Sequence, residues 1–158
     1  MKTRLAAIMV CFLISVSSIA ASKEPGFAVK YDGGSIGDLK TGEDIRLNPS
    51  GTTIIISKGK TEVLSIPAAS ITEISYGQDV HRRVGAAIGL AVISFGAGLL
   101  MALAKSKKHY VGLTWATGDV KGGFAVQADK NDYRGLLAAL EGLTGKKAVD
   151  SESMNVKN

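Results

Sequence analysis

"RRVGAAIGLAVISFGAGLLMALAKSKK", residues 82–108, decides how this chain is divided. Its centre, Val84 to Ala104, is 21 residues without a charge, with Arg82 and Arg83 before it and Lys105, Lys107 and Lys108 after it. As one α-helix the run would be about 31 Å long, enough to cross the hydrocarbon layer of a bilayer. Gly85 and Gly89 share a helical face and Gly96 adds another small position. Such faces allow close helix–helix packing in a membrane and would support a homo-oligomer. Gly96 and Gly98, in "SFGAG", mark the natural place for a break. Three readings stay open: a single transmembrane helix, a broken helical hairpin that dips into the membrane and returns, and a segment covered by protein. A single span favours unequal basic flanks, whereas here both ends are basic. The five cations Arg82, Arg83, Lys105, Lys107 and Lys108 are placed to meet lipid headgroups if the run enters a membrane.

On either side of the run the pattern is β-rich. "FAVKYDGG" (27–34) ends in Asp32-Gly33-Gly34, a turn signal, and "IRLNPSG" (45–51) ends in another. "TTIIIS" (52–57) and "EVLSIP" (62–67) flank a hairpin turn at Gly59, and "ITEISYG" (71–77) makes a fifth strand. Beyond the run, Val111, Leu113 and Trp115 alternate with Tyr110, Gly112 and Thr114. "TGDVKGG" (117–123) reads as a turn, and "FAVQAD" (124–129) alternates again. Then the period changes. Tyr133, Leu136, Leu137, Leu140 and Leu143 lie on one face of an amphipathic helix. Asp129 or Asn131 can accept from its first amides, and Gly145 is placed to end it. Residues 146–158 show no pattern and read as a disordered tail.

The predicted class is mainly β with α. Seven strands followed by a C-terminal helix is an element order that resembles the pleckstrin-homology-like superfold. "EVLSIPAASITEISYG" and "GGFAVQADKNDYRGLLAALEGLTG" carry the resemblance. It implies a bent seven-stranded antiparallel sheet, a partly open barrel, over residues 27–143. The C-terminal amphipathic helix would close one end, and an apolar helical insertion would lie between strands five and six. Such a fold hosts many functions, so it implies a binding surface without naming a ligand. The insertion creates the central difficulty. A single crossing would put strands one to five on one side of the membrane and the rest on the other, and neither piece looks complete.

The N-terminus, "MKTRLAAIMVCFLISVSSIAASKEPG", has a charged start, a short apolar core and small residues. It reads as a secretory signal peptide over residues 1–20, with Ser18 and Ala20 at the cleavage positions. Cys11, the only cysteine, lies within it and is too early to be a lipid-modified first residue. Removing Lys2 and Arg4 from the 19 basic residues leaves 17 against 14 acidic ones. That balance gives no case for nucleic acid as partner.

Nothing forms a catalytic pattern. His81 and His109 flank the apolar run beside cations and read as polar flank residues. Glu43-Asp44 and Asp129 with Asp132 lack the partners that acid–base work needs. Ser35, Ser65 and Ser70 have no nucleophile-elbow context, and the glycine runs lack the spacing of a phosphate loop. No metal site or cofactor is expected. The chain reads as an exported, membrane-associated, non-enzymatic binding or scaffold protein of the cell envelope, its partner a membrane lipid or a protein. A structural homo-oligomer and a soluble periplasmic carrier are the alternatives.

Overall fold

The computed structural model describes residues 25–89 and 108–151. The signal peptide reading, most of the apolar run and the last residues of the tail lie outside them. Eight strands form one mixed sheet: β1 (Phe27–Gly34), β2 (Asp44–Ser50), β3 (Thr53–Lys58), β4 (Thr61–Pro67), β5 (Ile71–Tyr76), β6 (His109–Thr117), β7 (Val120–Ala128) and β8 (Val149–Asp150). Their order is β4-β3-β2-β1-β7-β6-β5-β8. A 3₁₀ turn, Ala68–Ser70, separates β4 from β5. Helix α1 (Val80–Ile88) follows β5, and helix α2 (Tyr133–Thr144) follows β7.

The mainly β class of the sequence reading holds, but its strand count and sheet type do not. The sheet is eight-stranded, is mixed because β8 joins β5 in parallel, and does not close into a barrel: β4 and β8 are its two edges. Residues 149–150, expected in a disordered tail, form that strand, and Ser151 behind them is buried. Glu141 makes the link: its carboxylate accepts the Ala148 N–H at 2.7 Å and turns the chain back toward β5. That hydrogen bond, with help from Lys147, holds the Glu141 carboxyl below its ordinary range.

Three expected turns shift for local reasons. Asp32-Gly33-Gly34 stays in β1, where Asp32 is the extra residue of a bulge between the pairs Tyr31↔Val126 and Gly33↔Ala125. Asn48-Pro49-Ser50 stays in β2, and the turn falls on Gly51. Gly122 and Gly123 belong to β7 because large side chains occupy the space above them. The Trp115 indole lies where a Gly122 side chain would start, and Val84 presses on Gly123.

One face of the sheet carries the main core. Val29, Tyr31, Leu47, Ile54, Ile56, Ile66, Ile71, Ile74, Val111, Leu113, Phe124 and Val126 are buried together with Leu136 and Leu140 of α2. The i, i+4 spacing of the two leucines aims both at the sheet, and α2 rests on β2, β5 and β6. Asp129 accepts the Asn131 N–H at 2.9 Å at the entry to α2, and Gly145 ends it in the left-handed conformation.

The other face of β1, β7, β6 and β5 carries α1. It begins at Val80, before the charge-free run, and Gly89 ends it at φ 72°; the rest of the run expected as a membrane helix or helical hairpin, 90–104, lies outside the described residues. That left-handed residue breaks the helix earlier than the expected break at Gly96 and Gly98, which lie among the residues not described.

Candidate functional site

The site of interest is the place where the apolar segment leaves the sheet and rejoins it. The chain is described up to Gly89 and again from Lys108, and both ends belong to one body. Strands β5 and β6, which bracket the segment, are antiparallel neighbours, with Ile74 opposite Leu113 and Tyr76 opposite Val111.

Helix α1 is seated by shape first. Val80 and Val84 lie one turn apart and are both completely buried, with Tyr110 and Ala125 beneath them. Gly112 makes the approach possible. A Cβ there would come within 2.5 Å of Val80 and 2.8 Å of Val84. Charge comes second. His81 Nε2 lies 2.8 Å from Asp32 Oδ2, with the two side chains only 9% and 11% exposed. The contact joins charge to dipole, or charge to charge once the imidazole is protonated, and it lacks the alignment of a hydrogen bond. The His81 ring also meets Tyr110 edge-on, with centroids 5.0 Å apart. Burial pushes the Tyr110 phenol above its ordinary value, and the neighbouring Asp32 charge adds to the effect. Two residues on, Arg83 makes a two-pronged bond to Glu73, both contacts 2.9 Å. That pairing raises the guanidinium further.

The junction before α1 is tied to both later parts of the chain. Gln78 Nε2 donates to the Lys108 carbonyl at 2.6 Å, and the Gly77 N–H donates to the Tyr110 carbonyl. Ser151 Oγ accepts the Asp79 N–H at 3.1 Å at the start of the helix, while the Ser151 N–H donates to the Tyr76 carbonyl. The last described residue of the chain therefore braces the point from which α1 departs.

Beside Lys108 lies an open cleft of about 450 Å³. Lys30, Asp44, Lys108, His109, Asp129 and Lys130 bring its charged and ring groups. The register explains the gathering: Val29 and His109 both pair with Ala128, so the starts of β1 and β6 meet the end of β7. A smaller hollow of about 200 Å³ shares Lys108 and His109 and is bordered by Tyr76, Tyr133 and Asp150. The His109 ring stacks flat on Tyr133, with centroids 4.0 Å apart.

The residues expected at the headgroup level separate. Arg82 is exposed, Arg83 is committed to Glu73, and Lys108 lines the cleft. Lys105 and Lys107 lie outside the described residues. Of the glycines expected to pack helices together, Gly85 is buried within the chain and Gly89 is an exposed helix cap with open space around it. Gly96 lies outside the described residues. His81, read as a polar flank residue, is instead buried between α1 and the sheet. Sequence reasoning missed Asp32, Glu73, Gln78 and Ser151. The one available signal was an i, i+4 apolar pair, Val80 and Val84, beginning before the charge-free run.

Among the described residues no group of three His, Cys, Asp or Glu side chains could hold a metal ion. Among them, too, no helix is long and apolar enough to cross a membrane. No family model matches the chain, and no curated protein or solved structure matches it either.

Proposed function

We propose that the chain is an exported, membrane-associated, non-enzymatic binding or scaffold protein whose apolar segment leaves one folded domain and returns to it. The observation that carries this reading is the pairing of β5 with β6 across residues 90–107. A domain whose strands alternate from both sides of the segment lies on one side of any membrane. A segment that starts and ends on that domain makes no net crossing. In this reading the segment attaches the domain to a membrane surface, and the sheet presents a surface to a lipid or protein partner. The strand order from β4 to β5, with α2 against the core face, supports the likeness to a pleckstrin-homology-like domain as a proposal about ancestry of form.

The soluble periplasmic carrier is kept as a second reading for one reason. Residues 84–88, the start of the apolar run, are already seated on the chain's own sheet through Val84 and Gly85. Membrane sidedness and extraction separate the readings. Cysteines introduced singly at Asp38 and Lys121, both exposed, are labelled with an impermeant maleimide in intact envelopes, in a Cys11→Ser background. The membrane reading expects both positions to react equally and the protein to stay in the pellet after carbonate extraction. Release into the supernatant supports the carrier, and labelling at only one position contradicts both.

A further inference from the structure

We propose that the cleft bounded by Lys108, His109 and Lys130 binds a phosphate group, that of an anionic lipid headgroup, at the root of the apolar segment. The proposal rests on the membrane reading for the source of the phosphate, and on the cleft alone for the chemistry.

Three observations carry it. The first is charge. Three lysines and two aspartates line the cleft, an excess of one positive charge. The acidic side is largely occupied: Asp44 holds Lys30 at 2.6 Å, and Asp129 Oδ1 accepts the Asn131 N–H. Lys108 and Lys130 have no salt bridge among the described residues. Lys108 and Lys130 are therefore set against Asp129 alone, which leaves one net positive charge in the cleft to meet an anion.

The second is shape. The cleft volume exceeds that of a phosphate ester and falls within the range of small-molecule sites. Its wall is stiff: β1, β6 and β7 are hydrogen-bonded there, and the His109 ring is held by its stack on Tyr133. The third is position. Lys108 lies four residues beyond Ala104, the end of the charge-free run, and Gln78 fixes its carbonyl to the residues that lead into α1. If the segment enters a bilayer, the cleft lies at its base, where phosphates lie.

The test uses the purified full chain with two probes. In flotation with vesicles of phosphatidylcholine alone or mixed with phosphatidylglycerol, the chain should favour the mixed vesicles. Lys108→Gln with Lys130→Gln should reduce partition onto the mixed vesicles roughly 30-fold, since each cation near an anionic surface contributes about a fivefold factor. Partition onto phosphatidylcholine should not change. Lys60→Gln with Lys121→Gln, which removes one turn lysine and one β7 lysine that do not line the cleft, should change the mixed-vesicle partition less than about threefold, because screening limits distant charges. Equal losses in the two double variants would overturn the proposal.

The second probe is sn-glycerol 3-phosphate, titrated while the amide resonances of Lys108, His109 and Lys130 are followed in non-ionic detergent. Shifts that disappear in the Lys108/Lys130 variant, without vesicle preference, assign the phosphate to a soluble ester. A vesicle preference lost in that variant assigns it to a lipid. Neither response overturns the site. Phosphate-dependent shifts in a chain that floats with no vesicle overturn the membrane reading alone.

Discussion

The two helices, α1 and α2, share a plan and differ in what holds them. Each is amphipathic, each ends at a left-handed glycine, and each lies on the same sheet. Helix α2 buries Leu136 and Leu140 in the main core, among apolar residues from seven strands. Helix α1 buries only two valines completely, and the His81–Asp32 contact and the Arg83–Glu73 ion pair supplement them. Apolar burial is insensitive to salt and pH, whereas ion pairs respond to both. The sheet therefore carries a robust layer on one face and a lighter, condition-dependent layer on the other. The lighter layer leads directly into the apolar segment.

The comparison breaks if the layers unfold together at equal cost. Leu136→Ala should lower stability by about 3 kcal/mol, the usual scale for emptying a buried leucine site, with faster amide exchange throughout the sheet. Val84→Ala should cost about 2 kcal/mol but speed exchange mainly in α1 and at Gly77 to Val80. Exchange that rises throughout the sheet in both variants would show a single layer. Asp32→Ala removes the carboxylate facing buried His81 and should cost about 2 kcal/mol in urea unfolding, on the scale of a broken buried pair. A change indistinguishable from zero would mean that packing alone seats the helix. Glu73→Gln should cost about 1 kcal/mol, less at high salt, because its carboxylate is partly exposed.

The smallest effect concerns alkaline pH. Tyr110 is held protonated above its ordinary value near 10. A raised acid is stabilising while both states are protonated. Its contribution is present below the unfolded value and is lost as pH rises through the folded one. Tyr110→Phe should flatten the fall in stability above pH 10, leaving the part due to Tyr31, which burial also raises. An unchanged alkaline slope would place Tyr110 in contact with water and contradict the seat described for α1.

The core side of the fold was legible because its periodicity is uncomplicated. Val111, Leu113 and Trp115, then Leu136 and Leu140, announced β6 and α2 at the right places. The outer layer was not legible, because its signals are small or distant in sequence. Gly112 reads as a weak strand position and Gly123 as part of a turn until Val80 and Val84 are seen above the first and Val84 above the second. Asp32 and His81 are 49 residues apart in the chain, and nothing local marks them as partners. The tail strand β8 depends on the Glu141 carboxylate catching the Ala148 amide, a contact with no periodic signature. For the candidate site, Lys108 was identified from its flank position. The cleft itself required the register that brings β1, β6 and β7 together.

The central claim is that both flanks of the apolar segment meet in one sheet. Thr72 and Thr114, one from each flank, have hydroxyl oxygens 2.8 Å apart, so the two side chains already meet at their tips. The direct test is Thr72→Cys with Thr114→Cys in a Cys11→Ser chain, mildly oxidised in its native envelope and analysed by peptide mass. The account predicts a linked pair of peptides containing residues 72 and 114. Two free thiols after oxidation, in a protein that remains folded, would contradict it.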